Sequence, residues 1–157
     1  MPCWTIPKIW DGDTAYILGG GPSLNDCNLN LIKDKHVIGV NNAYLMGQWV
    51  DICWFGDCRW WDWHKDELRK FGGLVATCCV RLLDKGLPLK ICQRGKPQGI
   101  EKRQNRIAWN SNSGGSAVNF AYHLGAKRVV LLGYDMRRVN DQANWHNNHP
   151  APQKNPY

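Results

Sequence analysis

Ala15-Tyr16-Ile17-Leu18-Gly19-Gly20-Gly21-Pro22-Ser23-Leu24 is the stretch whose reading decides the fold. Tyr16, Ile17 and Leu18 form a short apolar run of the kind found in a strand buried in a parallel sheet. Gly19 to Gly21 then break that run with a turn that takes positive φ at no steric cost and lets a ligand approach the backbone. Pro22 suits the first residue of a helix, and Ser23 is the expected N-cap. A strand, a bare turn and a helix opening together outline an anion site. Leu24 stands where the dinucleotide fingerprint has its third glycine, and no Gly-Lys-Ser/Thr follows, so neither an NAD fingerprint nor a P-loop is complete.

Working outward, His36 to Val40 reads as a second strand ending at Asn41-Asn42-Ala43-Tyr44. An acidic residue at this place would hold the ribose of NAD. Two neutral amides instead favour a different nucleotide, because an amide bonds a ribose hydroxyl or a base edge through either of its faces. Trp49 to Phe55 is a third strand, and it leaves Asp57 at a carboxyl end. Trp60 to Phe71 has helical spacing and stops at Gly72-Gly73. Leu74 to Val80 and Leu89 to Cys92 are short strands, and Arg94 to Arg106, polar and broken by Gly95, Pro97 and Gly99, reads as a mobile loop or flap.

Asn110 to Ser116 opens the clearest helix of the chain, with Ala117, Val118, Phe120, Ala121 and Leu124 as its apolar stripe and Gly125 as its stop. Arg128 to Leu132 reads as a buried strand ending at Gly133-Tyr134-Asp135. His146 and His149 follow before a Pro-rich tail. The order of elements implies a Rossmann-like α/β/α fold with a mostly parallel sheet, one domain over residues 1–157.

Composition narrows the class. No apolar stretch approaches bilayer length and the start lacks an export signal, so a cytoplasmic location is expected. Seven cysteines, an odd number without paired metal-ligand spacing, read as buried reduced thiols in a reducing compartment rather than as disulfides or zinc ligands. The net charge of +7 favours anionic partners. The basic residues are scattered, clustered only between Lys90 and Arg106; a solvated loop face is the commoner explanation of such a stretch, a nucleic-acid partner is not expected, and the same positive field would equally attract a nucleotide's phosphates. Trp54, Trp60, Trp61 and Trp63 form either a stacking wall or a packed helix face, the second being the commoner use.

Taken together, Gly19 to Leu24, Val40 to Tyr44, Ser113-Gly114-Gly115 through Gly125, and Leu132 to Asp135 resemble the Rossmann-like transferase group. That group includes MptE-like 6-hydroxymethylpterin diphosphokinase domains and bacterial Cst-type sialyltransferases, and related domains are seen in phage genomes. The resemblance implies a nucleotide-binding transferase, foremost a glycosyltransferase with a nucleotide-sugar donor of the CMP type. Gly19, Gly20, Gly21, Ser23, Asn41, Asn42, Ser113 and Gly114 would line the nucleotide pocket, and His146 or His149 would be the general base. Arg137 falls where the sialyltransferases have a phosphate-contacting tyrosine, and its guanidinium would pair with phosphate. Under the diphosphokinase alternative, Asp57 and Asp135 would hold Mg2+. A third class is a catalytically inactive phage protein that binds a nucleotide or a host partner, located in the host cytoplasm. A homo-oligomer is compatible with each reading. The resemblance normally runs on past the histidines, so a missing C-terminal continuation is expected.

Overall fold

The computed structural model describes residues 3–83 and 85–146. Its strands are β1 (Thr14–Leu18), β2 (His36–Val40), β3 (Ile52–Phe55), β4 (Leu74–Thr77), β5 (Lys90–Ile91), β6 (Gln93–Arg94), β7 (Arg106–Ile107) and β8 (Arg128–Leu132). Its α-helices are α1 (Cys58–Leu68) and α2 (Ser113–His123). Six strands form one sheet in the order β5-β4-β3-β2-β1-β8, and every pairing in it is parallel. Ile17 of β1 sits between Ile38 of β2 and Leu131 of β8, which sets the register of the centre. The fold is therefore α/β and Rossmann-like, as the sequence implies.

Strand alternation builds two apolar layers. Ala15 and Ile17, Ile38 and Val40, and Ile52 and Trp54 face the layer that contains Ala117, Phe120, Ala121 and Leu124 of α2. Leu18, Val37, Cys53 and Phe55 face the opposite layer, with Trp60, Trp61 and Leu68 of α1 and with Tyr44. Period-two alternation through a sheet covered on both sides produces this division. Trp54 stacks on Phe120 at 4.5 Å and donates from Nε1 to Ser116 Oγ at 2.9 Å, while Trp60 and Trp61 pack against Phe55. The crowded tryptophans of this region thus serve mainly the core.

Several expectations are corrected. Gly21, not Ser23, occupies the N-cap position of the turn that follows β1, and that turn is a five-residue 3-10 segment, Pro22–Asp26, with Pro22 leading it. β3 begins at Ile52 rather than Trp49, because the chain turns from Gly47 to Val50 before it joins the sheet. Among the described residues β8 pairs with β1 alone, at the edge of the sheet, and Leu131 is 45% exposed. An apolar run does not by itself distinguish one neighbour from two. Arg94 to Arg106 is fastened rather than free: Gly95 N–H donates to Ile107 O, Glu101 N–H to Asn119 Oδ1, and Gly99 N–H to Asn110 Oδ1.

The thiols also differ from expectation. Cys58, the first residue of α1, is bonded to Cys79, which lies just beyond β4, with the two Cα atoms 5.6 Å apart. Adjacent parallel strands bring these positions into disulfide range although 21 residues separate them. Cys53, Cys78 and Cys92 are buried free thiols, as the composition suggests. The inference of a reducing compartment loses the support it drew from unpaired cysteines. Among the described residues no helix is long and apolar enough to cross a membrane.

Candidate functional site

The chain leaves β1 toward β2, β3, β4 and β5 on one side and returns to its other side through β8. The β1/β8 boundary is thus a topological switch point, the place where connections diverge and a crevice opens beyond the strand ends. A cavity of about 230 Å³ lies there. The glycine turn after β1, Val40 and Asn41 after β2, Gly133, Tyr134 and Met136 after β8, and Asn112, Ser113 and Gly114 at the opening of α2 enclose it, with Asn144 at one side.

The glycine turn is bare largely because β8 closes on it. Gly19 N–H donates to Leu132 O and Gly21 N–H to Gly133 O, each at 2.7 Å. A Cβ on Gly19 would stand 2.5 Å from Gly133 O and 2.8 Å from the Tyr134 ring, and one on Gly21 would stand 2.7 Å from Gly133 O and run into the Asp135 carboxylate. Gly20 differs, since its Cβ would meet only Asn144 Oδ1 at 3.1 Å. Ser23 N–H donates to Asp135 Oδ2 at 3.1 Å. The first opening therefore already carries an anion of the protein's own, and a single 3-10 turn adds little dipole. The expectation that the Ser23 end receives a ligand's phosphate is corrected on this ground.

The second opening is different. Asn112 caps α2, its Oδ1 accepting from Gly115 N–H at 2.6 Å, and Asn112 O accepts from Ser116 N–H at 3.2 Å. The amides of Ser113 and Gly114 stand in the first turn, outside the intrahelical ladder, and both residues face the cavity. Ser113 Oγ accepts from Gly56 N–H at 3.2 Å, which leaves its own proton for another acceptor. Tyr134 lies across the gap between the two openings and donates to Gly114 O at 3.2 Å; burial pushes its phenol well above the ordinary value.

Asn41 is the unusual member of the wall. Its backbone is left-handed, φ 51°, and its Oδ1 is buried without a hydrogen-bond partner. Met136, also on the wall, has φ 51° as well. Left-handed conformations at residues other than glycine cost energy and gather at functional sites. Neighbouring Asn42 turns away into the core, where its Oδ1 accepts from Trp60 Nε1 at 2.7 Å, so the structure divides the amide pair into one wall residue and one packing residue.

The remaining sequence-derived residues are placed as follows. Gly19, Gly20, Gly21, Asn41, Ser113 and Gly114 come together on one cavity. Ser23 is behind the turn and Arg137 is exposed and off the wall. Asp57 caps α1 through Arg59 N–H at 2.9 Å, and the Arg59 guanidinium, 2.8 Å away, holds its carboxyl below the usual range. Among the described residues no three His, Cys, Asp or Glu side chains converge as metal ligands, and with Asp57 held by Arg59 and Asp135 by Ser23 the two carboxylates do not fit a shared magnesium site. Trp145 N–H donates to Gly20 O at 2.9 Å, which brings the Trp145-His146 pair to the rim beside the glycine turn, their rings edge-on at 4.8 Å. His149 lies outside the described residues. Tyr134, Asn112, Met136 and Asn144 are not candidate site residues on sequence grounds; Tyr134 and Asn112 lie within the Leu132–Asp135 and Asn110–Ser116 stretches, and nothing in the sequence marks Met136 or Asn144.

Among the described residues the wall contains no charged side chain. The polar groups it offers are amides, one serine, one tyrosine and the N-terminal end of α2. No family model matches the chain, and no curated protein or solved structure resembles it significantly.

Proposed function

We propose that this chain is a nucleotide-binding transferase whose donor occupies the cavity at the β1/β8 switch point. The observation that carries the reading is Asn41: a residue of the cavity wall, in the left-handed backbone region, has a buried amide oxygen with no hydrogen-bond partner, and a ribose hydroxyl or an exocyclic amine would satisfy it. The donor's phosphate belongs at the Ser113 and Gly114 amides, where the α2 dipole and two N–H groups favour negative charge. A neutral wall suits the nucleoside, which is bound by hydrogen bonds rather than ion pairs.

In the glycosyltransferase form, the acceptor oxygen bonds the sugar carbon as the bond from that carbon to the phosphate oxygen breaks. His146 takes the acceptor's proton, a task that suits a neutral imidazole. The negative charge that collects on the departing phosphate is met by the Ser113 and Gly114 amides. The magnesium-dependent diphosphokinase reading is less favoured, because Asp57 is engaged by Arg59 and Asp135 by the Ser23 amide.

A thermal-shift panel of CMP, a CMP-sugar, ATP, GTP and NAD, each with and without magnesium, tests the proposal. A ligand at 100 times its Kd adds about 2.7 kcal/mol of stability, a readily measured rise in Tm. Stabilisation by a pyrimidine nucleotide independent of magnesium supports it. Stabilisation by NAD alone, or by none of the panel, overturns it.

A further inference from the structure

A second cavity of about 340 Å³ lies on the opposite layer of the molecule, between α1 and the segment joining β4 to β5. Its body is apolar: Trp61, Leu68 and Val75 are buried behind it, and Leu87, Pro88 and Leu89 form the facing wall. Lys65 of α1 and Arg69, the residue that follows the helix as its C-cap, also line it. Trp61, Lys65 and Arg69 follow one another at intervals of four, so both cations rise from the same helix stripe as the indole that backs the cavity.

Among the described residues no ion pair offsets the charge of that placement. Like charges four residues apart on a helix repel one another. Of the described acidic residues of α1, Asp62 pairs with Arg81 at 2.7 Å and Glu67 with Lys70 at 3.4 Å, while Asp66, three residues before Arg69, forms no ion pair with it. Lys65 and Arg69 make no ion pair among the described residues. The dipole of α1 favours positive charge near its end, yet it does not require two cations on the lip of an apolar cavity.

We infer that this cavity binds a small amphiphile, an aliphatic chain or ring seated against Trp61, Val75 and Leu89 with an anionic headgroup, carboxylate or phosphate, held between Lys65 and Arg69. The volume is at the small end of ligand cavities, and an apolar lining with a few convergent polar groups is their usual composition. The site is separate from the switch-point cavity and does not depend on the reading given to it.

Octanoate and octyl phosphate, titrated into the full chain and followed by heteronuclear NMR, test the inference, with octylamine and 1-octanol as the matched cation and neutral probes. Saturable shifts at Trp61, Val75 and Leu89 are expected with at least one of the two anions, and the stronger of them identifies the headgroup. The double variant Lys65→Glu/Arg69→Glu, whose substitutions are on exposed positions, should keep the fold by circular dichroism and weaken that binding about tenfold or more. Absence of binding by both anions, equal binding by octylamine or 1-octanol, or undiminished binding by the folded double variant overturns it.

Discussion

The Asp135 carboxylate accepts the Ser23 amide proton at 3.1 Å across 112 residues of sequence, and so joins the end of β8 to the turn after β1. This contact fills the first helix opening with the protein's own negative charge, which is why the proposed anion site is the second opening, at α2. Replacing Asp135 with Ala should cost about 1–3 kcal/mol, as expected for a lost hydrogen bond to a charged acceptor, by urea denaturation. Asp135→Asn keeps an oxygen acceptor but removes the charge, and should tighten CMP severalfold by calorimetry. Weaker binding in the Asn variant would place the phosphate elsewhere.

The three glycines of the β1 turn should not behave alike. Gly19→Ala and Gly21→Ala force a methyl group onto Gly133 O, Tyr134 or Asp135 and should each destabilise by about 1–3 kcal/mol, the usual range for overpacking. Gly20→Ala, which meets only the end of a side chain, should leave the denaturation midpoint nearly unchanged and reduce ligand affinity instead. Chemical denaturation of the three variants side by side checks the difference.

Two buried groups set the acid dependence of stability. Burial holds the His123 imidazole below its ordinary value of 6.5, its Nε2 donating to Arg106 O at 2.8 Å while Nδ1 has no partner. The unfolded chain therefore takes up this proton first, so the stability is complete above 6.5 and falls as pH drops below it. Glu101, accepting from the Arg103 backbone and guanidinium and from Lys102 N–H, is held down to about 2, and its share is lost only as pH falls from 4.5 toward that value. Urea midpoints between pH 7.5 and 5 should decline in the native chain, and His123→Gln should flatten that slope. An equal slope in the variant would exclude His123 as its source.

Tyr44 is 5% exposed, with its ring against Trp60 and Phe71, yet its hydroxyl has no partner; burial pushes its pKa up to about 12. An unsatisfied buried hydroxyl carries a desolvation cost with no hydrogen bond to offset it. Tyr44→Phe should therefore raise stability by roughly 1 kcal/mol, seen as a higher Tm. A loss of stability would reveal a bonded hydroxyl.

The bounds of β2 and β8 are legible because polar residues or glycine bracket both apolar runs, and the opening of α2 because a run of small polar residues, Asn110 to Ser116, precedes its apolar stripe. β3 was read too long, since Trp49 and Val50 continue the apolar pattern although the backbone turns there. What the sequence does not carry is long-range pairing. The Asp135–Ser23 contact, the Cys58–Cys79 bond and the approach of Tyr134 to Gly19 all arise from strand adjacency, and local spacing is silent about that. For the same reason Gly19 and Gly21 looked like ligand glycines when packing against β8 already requires them, and Asn41 could not be told from Asn42 until one was seen on the cavity and the other against Trp60.

The most direct test is calorimetric titration of CMP into the native chain and into Asn41→Gly. Glycine accepts φ 51° without strain, so the variant should fold and match or exceed native stability while binding at least about tenfold more weakly, the amide having been the group that reads the nucleoside. Native affinity in a folded Asn41→Gly, or no heat of binding in either protein, would contradict a nucleotide site at the β1/β8 crevice.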